Sequence, residues 1–452
     1  MLSKWTPNPA ATNSNFSPQS QSSSISPHRL SAITKISNIH NMTKQFNTAL
    51  VLFLLLGSLL YALGDQTRLV PTTQPIPANY FGMHIHRPGP TLWPSVPVGT
   101  WRFWDSHAAW PDMEPKRGQW DFSYLDRYLS MAEEHHAEIL YPLGLTPRWA
   151  SSRPDEKSAY QPGWAAGPAD LEDWRTYIRT VVTHCKGRVH TYEIWNEPNY
   201  RPFWTGTTDE MLTLTREASQ IIRSIDPHAT IVSPAATTAT GPKWLAEFLG
   251  KGGGQYVDVI GYHFYVNTQP PEAMLPIIQQ VRQVMDDNHQ AAKPLWDTET
   301  GWLQPSRFDT EELTAAYLAR SYILAWSAGV QRFYWYAWDN GPPLQMIDRD
   351  SQALKPAGKA FGIIQTWLVG ARMDECKQAA DRTWTCQLNR NGQLQWIVWN
   401  PEGSRTFAIP NQWSVQTVTP LLGEASPVSG MSLAIGPMPV LLRSATHRAG
   451  GQ

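Results

Sequence analysis

Cysteine is scarce in this chain, with three among 452 residues, and their scattered positions match no four-ligand zinc pattern. A disulfide-dense scaffold and a cysteine-held metal centre are therefore excluded, and no metal ligand is assigned. Charge is low at 17%, and 37 basic groups face 38 acidic ones. Such a balance exerts no pull on a polyanion, which removes nucleic acid from the partner classes. Long apolar runs are also missing. The longest, Ala49 to Gly64, falls short of the roughly 18 to 20 residues that span a bilayer comfortably.

Residues 1–41 are rich in Ser, Asn, Thr and Pro, a composition that buries too little apolar surface to offset chain entropy. They are expected to be disordered or a non-native extension. Residues 42–64 join Lys44 to the apolar run and end in Ala62-Leu63-Gly64, the pattern of a signal peptide or, if uncleaved, a membrane anchor. The expectation is an exported protein, periplasmic or extracellular, with a possible inner-membrane tether. Cys376 and Cys386 flank a hairpin pattern and could pair after export, whereas Cys185 sits in an apolar helix and reads as a buried thiol.

Tryptophan is plentiful, at 22 residues. Most must fill the core, but flat aromatic faces also suit the C–H surfaces of sugar rings. From about residue 78, short apolar runs alternate with helical periodicity. Eight strands are expected, at 80–84, 99–103, 138–143, 190–195, 230–233, 257–262, 294–298 and 331–336. Helices are expected over 170–182, 208–225, 272–287, 310–328 and 355–368. This alternation predicts an α/β fold, a (β/α)8 TIM barrel over 70–369, with polar and aromatic residues gathered after the strands, on the catalytic face of such barrels. Beyond Gly370 the pattern becomes strands and turns, with Asn391-Gly392 as a hairpin signal, predicting a small antiparallel β domain over 370–445.

Two carboxylates end apolar runs. Glu197 closes Tyr192-Glu193-Ile194-Trp195-Asn196-Glu197, and Glu299 follows about 100 residues later in Leu295-Trp296-Asp297-Thr298-Glu299, room for three units of a barrel of about 250 residues. Strands four and seven face each other across a barrel mouth. Their terminal carboxylates can therefore meet at the spacing retaining glycoside hydrolysis requires, with Glu197 as a proton donor of raised pKa and Glu299 as an ionised nucleophile. Asn196 is a candidate hydrogen-bond partner for the sugar 2-hydroxyl. Arg102 and Tyr265 are candidate donors to Glu299, and His263 could orient the acid or bind sugar. Trp149, Trp204, Trp302 and Trp338 are candidate sugar platforms. Each has a plainer alternative: Asn-Glu-Pro occurs in turns, Glu299 could cap a helix, and Arg102 could close a core ion pair.

The segment from Tyr192 to Trp204 resembles the acid/base region of glycoside hydrolase clan A, most closely its family 39. Val257 to Tyr265 is similar to that family's sixth strand, Trp296 to Gly301 to its nucleophile strand, and Pro437 to Leu441 to the closing strand of its accessory domain. The resemblance implies a barrel with a C-terminal β-sandwich, retaining hydrolysis without a cofactor, and a polysaccharide or oligosaccharide substrate. Family members include β-xylosidases, α-L-iduronidases and bacterial enzymes that trim biofilm polysaccharide, and an exported single-barrel chain looks most like the last. Trp104, where the family habit is a His soon after the Arg, is a departure that touches the sugar subsite. The competing expectations are an exo-acting β-xylosidase or β-glucosidase, and a carbohydrate-binding barrel without turnover.

Overall fold

The computed structural model describes residues 68–444 apart from 70, 90, 267–268, 303–309 and 341–345. The expectations for 1–41 and 42–64 thus lie outside the described residues, among which no helix is long and apolar enough to cross a membrane.

After β1 (Arg68–Leu69) come β2 (Phe81–His84), β3 (Thr100–Arg102), β4 (Glu138–Leu143), β5 (Thr191–Ile194), β6 (Thr230–Val232), β7 (Ala236–Thr237), β8 (Ile260–His263), β9 (Leu295–Gly301) and β10 (Val330–Tyr336). All but β1 share one parallel sheet in the order β6-β5-β4-β3-β2-β10-β9-β8-β7. The two ends of that order are one strand in two pieces. Ser233-Pro234-Ala235 separates them, and Pro234 has no N–H to give a ladder. Bridges Val232–Val259 and Asn196–Ala235 join the pieces to their neighbours, so nine segments close an eight-stranded (β/α)8 barrel.

The outer helices form where the apolar stripe and the caps agree. Asp170 caps Leu171–His184 by accepting from the Glu172 N–H, and that helix buries Trp174, Tyr177, Ile178, Val181 and Val182. Thr207 and Glu210 make a reciprocal capping box on Thr208–Ile225. Helices Ser123–Glu134 and Gly241–Gly250 add to the expected set. The second opens on Gly241-Pro242, which reads as a turn until Pro is recognised at a first-turn position where its missing N–H costs nothing. Inside the barrel, Leu140, Val232, Val259, Trp296 and Tyr334 pack as an apolar plug. The polar side chains of the site build on it.

The C-terminal region carries β11 (Arg372–Gln378), β12 (Trp384–Arg390), β13 (Gln393–Trp399), β14 (Arg405–Ala408), β15 (Val415–Pro420), β16 (Ser426–Pro427), β17 (Ser432–Ile435) and β18 (Val440–Ser444). A seven-stranded sheet, β1-β11-β12-β13-β18-β15-β16, stands with the two-stranded ribbon β14-β17. Trp396, Val398, Leu442 and Ile435 fill the space between them, so the region is a β-sandwich. Asn391 and Gly392 have φ of 53° and 85°, the left-handed pair that a two-residue hairpin demands. Cys376 and Cys386 lie directly opposite and are disulfide-bonded, while Cys185 is a buried free thiol. Trp399 Nε1 donates to Glu272 Oε1 at 2.9 Å and Arg390 Nη1 to the Val369 carbonyl at 2.7 Å, tying the sandwich to the barrel.

Candidate active site

The C-terminal ends of β3, β5, β8 and β9 bring one cation and three carboxylates together. Arg102 is wholly buried and spends its guanidinium three ways. Nε donates to Glu193 Oε2 at 2.6 Å, Nη1 to Glu299 Oε2 at 2.8 Å, and Nη2 to Asn196 Oδ1 at 2.9 Å. Glu193 takes a further hydrogen bond from Thr298 Oγ1 at 2.6 Å. The fork geometry of guanidinium makes this possible, since a lysine could not reach three acceptors in one plane. Arg102 therefore closes a core ion pair and also grips the site.

Glu299 reaches this cation because β9 is irregular. Its register against β10 shifts between Asp297 and Thr300, so Thr298 and Glu299 both turn inward, where plain alternation would put them on opposite faces. Asp297 points away, with its Oδ1 accepting from Thr300 Oγ1 at 2.8 Å. Gly301 is required just beyond, since a Cβ there would stand 1.9 Å from the Tyr336 carbonyl oxygen. Tyr265 completes the grip by donating its hydroxyl to Glu299 Oε1 at 3.0 Å.

Glu197 is presented by a sharp exit from β5. Trp195 and Glu197 both adopt left-handed backbone, with φ of 65° and 46°, unfavourable for a bulky residue unless its surroundings hold it. Here Trp195 Nε1 donates to the Phe203 carbonyl at 2.9 Å, and the Glu197 N–H donates to the Ala235 carbonyl at 3.0 Å. The side chain of Glu197 meets His263 Nδ1 at 3.0 Å. One oxygen or nitrogen of each of Glu197, His263 and Glu299 lies within 4.8 Å of the others. That spacing could in principle hold a cation, but Arg102 already supplies the positive charge at Glu299 and would oppose a second one.

Burial pushes the Glu197 carboxyl up to about 7 and, against expectation, the Glu299 carboxyl up to about 7 as well. Burial outweighs the Arg102 charge, which lowers Glu299 only in part. Glu299 accepts from a guanidinium and a phenol, which favours its charged form. Burial also pulls His263 down to about 4, leaving it neutral beside the acid.

Several polar atoms are buried without a partner among the described residues: Asn196 Nδ2, His263 Nε2, His86 Nε2 and Trp338 Nε1. Buried donors and acceptors left open cost free energy, and open polar groups of this kind suit a ligand rich in hydroxyls. The other three tryptophans are engaged by packing and hydrogen bonds. Trp149 donates Nε1 to the Glu114 carbonyl at 2.8 Å, packs on Trp110 and lies under Arg117. Trp204 is only 2% exposed and is wedged on Trp195 with centroids 4.8 Å apart, so it offers no open face for a sugar. Trp302 is buried and stacks on Tyr317.

Three participants received no role from the sequence, although Asp105 and Asp339 stand in it just after the second and eighth expected strands. Glu193 reads in the sequence as an ordinary residue of β5, and its bond to Arg102 spans the barrel interior past β4. Asp105 takes hydrogen bonds from the hydroxyls of Tyr160 and Tyr336, the latter at 2.7 Å. Asp339 accepts from the N–H groups of His86 and Arg87 at 2.8 and 2.9 Å, pinning the β2 loop to the β10 loop.

Comparison with known proteins points to one family. The chain is 26% identical over 229 residues to a β-xylosidase of Geobacillus stearothermophilus, a stretch covering 44% of this chain and 45% of that protein. The chain thus spans about half the length of the curated relatives it matches. A family 39 glycoside hydrolase from Bacteroides cellulosilyticus WH2 superimposes with a TM-score of 0.67 at 18% identity, over 82% of this chain and 81% of that one. A family 39 β-xylosidase from Caulobacter crescentus gives 0.62 at 17%, over 83% and 97%. These two likenesses speak to the fold. The sequence model of glycosyl hydrolases family 39 matches residues 104–336, more than half the chain and the stretch that holds both Glu197 and Glu299, and the chain belongs to that family.

Proposed function

We propose that the protein is a retaining glycoside hydrolase with Glu197 as general acid/base and Glu299 as nucleophile. The observation that carries this reading is the separation of the two carboxylates, whose nearest oxygens lie within 4.8 Å. Retaining enzymes hold their carboxyl groups about 5 to 5.5 Å apart, and inverting ones leave about 6.5 to 9.5 Å for a water. In the first step Glu197 gives its proton to the glycosidic oxygen as Glu299 bonds to the anomeric carbon and the leaving sugar departs. In the second, Glu197, now a carboxylate, takes a proton from water, whose oxygen displaces Glu299 and restores both groups. Asn196 Nδ2, buried and without a partner among the described residues while Arg102 holds Oδ1, would donate to the sugar 2-hydroxyl.

The substrate we propose is a polysaccharide cut internally, in keeping with an exported protein that acts on secreted bacterial exopolysaccharide. Tyr160 and Tyr200, 36% and 50% exposed, support this reading, because both flank Phe203 on the loop that follows the acid, where a long leaving chain would lie. The disulfide Cys376–Cys386 accords with export. A second reading, exo-acting β-xylosidase, is favoured by the β-xylosidases among the relatives.

Digestion of bacterial and plant polysaccharides, with product anomer and size followed by NMR and chromatography, tests both. Early oligosaccharides with retained configuration are expected; early monosaccharide would select the exo reading. Normal turnover by Glu299→Gln would remove the mechanism.

A further inference from the structure

Outside the two carboxylates and their grip, the most unusual group at the mouth is Asp105. The chain leaves β3 through left-handed backbone at Asp105 and again at His107, both with φ of 57°, a conformation that Asp tolerates better than most residues. The side chain is partly exposed. Two phenols fix it from opposite sides, Tyr336 at the end of β10 and Tyr160 on the 151–168 loop. Among the described residues it has no cationic partner.

Three consequences follow from elementary chemistry. A carboxylate has about four lone-pair positions, and two phenols occupy two, which leaves acceptors free for a ligand. Its charge also reaches the dyad, since Asp105 opposes ionisation of both Glu197 and Glu299. Finally, Arg102 is the one guanidinium touching the dyad among the described residues, and it is already bound to Glu193, Glu299 and Asn196. An incoming carboxylate would find an anion in place of a free cation.

We propose that Asp105, held by Tyr160 and Tyr336, is the specificity residue of this site: it accepts hydrogen bonds from the hydroxyl or ammonium groups of an uncharged or amino sugar and excludes uronic acids. The inference rests on the glycosidase reading above and adds the charge class of the sugar. A hydroxyl or ammonium group donates to the open lone pairs, whereas a sugar carboxylate offers only acceptors and a like charge, an arrangement that disfavours binding strongly in a partly dehydrated site.

The test uses aryl β-D-glycosides that share one leaving group: the glucoside, xyloside, 2-amino-2-deoxyglucoside and glucuronide. They are measured with the wild-type chain and with Asp105→Asn, an isosteric change that removes the charge, and Asp105→Ala serves as the second variant. The wild type is expected to favour the best uncharged or amino glycoside over the glucuronide by about 100-fold or more in kcat/KM. Both variants are expected to narrow that ratio by at least about 10-fold, through a gain on the glucuronide and a loss on the preferred sugar. Glucuronide turnover by the wild type within about threefold of the best neutral sugar overturns the assignment. So does a ratio that neither variant changes. A 2-deoxy-2-fluoro glycoside labelling Glu299 separates the failures. Labelling with an unchanged ratio removes only the role of Asp105, whereas no labelling and no hydrolysis of any glycoside removes the glycosidase reading and this inference together.

Discussion

Replacing Tyr265 by Phe removes one hydroxyl and nothing else, and the geometry states what that should do. The phenol donates to Glu299 Oε1 at 3.0 Å, while Arg102 holds Oε2 at 2.8 Å. Loss of the phenol therefore leaves half of a buried carboxylate without a donor, with the other half still paired. A hydrogen bond to a charged group contributes about 1.5 to 3 kcal/mol, and it acts on the ionised form alone. One pKa unit corresponds to about 1.4 kcal/mol, so the Glu299 carboxyl should rise by about one to two units from a value that burial has already pushed up to about 7. The nucleophile must be ionised while Glu197 keeps its proton, so the active window lies between the two macroscopic titrations of the pair. Raising the lower titration moves the acid limb of kcat/KM to higher pH and narrows the bell, with activity at pH 6 falling about 10- to 100-fold. The assay is the pH profile of kcat/KM on an aryl glycoside, paired with carbon NMR titration of labelled Glu side chains, which needs no turnover. An acid limb that stays in place while the whole profile drops uniformly would refute the reasoning, because Tyr265 would then be touching substrate and leaving the ionisation of Glu299 alone.

Further outcomes follow from burial and pairing. Glu197→Gln should stabilise the fold at pH 8 by about 3 to 4 kcal/mol relative to wild type, read as a higher Tm. Its carboxyl is raised to about 7 on folding, so the native state holds a proton the unfolded chain has lost, and wild-type stability declines between about pH 4.5 and 7; at pH 4 the two proteins should melt together. Glu193→Gln breaks the buried pair with Arg102 and should cost about 3 to 5 kcal/mol in urea unfolding, a loss that a merely peripheral carboxylate would not produce. Trp204→Ala should cost about 3 to 5 kcal/mol because the ring fills a closed space against Trp195; a sugar platform would instead lose affinity with stability unchanged.

The eight strands and both carboxylate-bearing ends were legible because inward apolar runs and helix caps repeat at barrel spacing, and because Glu197 and Glu299 stand where those runs stop. What was not legible depends on departures from regularity. The shift in β9 turns Thr298 and Glu299 to the same side, and no alternation rule anticipates it. Pro234 divides one strand into two, which the run Thr230 to Ser233 alone did not reveal. Trp149 and Trp204 sit in sequence beside site residues, but the left-handed exit at Trp195 swings one aromatic group into packing while it delivers the acid to the mouth. The rise of both carboxyls comes from burial outweighing the Arg102 charge, which a residue-by-residue reading of the sequence overlooks.

The pairing of β1 with β11, Arg68 opposite Lys377 and Leu69 opposite Cys376, sets a limit on trimming. A chain cut after Gly64 keeps the short strand that shields this margin of the sandwich. One cut past Leu69 would uncover a row of unpaired amides and carbonyls, the template on which edge-to-edge association starts. Any trimming that stops upstream of Arg68 keeps this edge paired. A recombinant form begun at the first barrel strand should self-associate even though every catalytic group is intact.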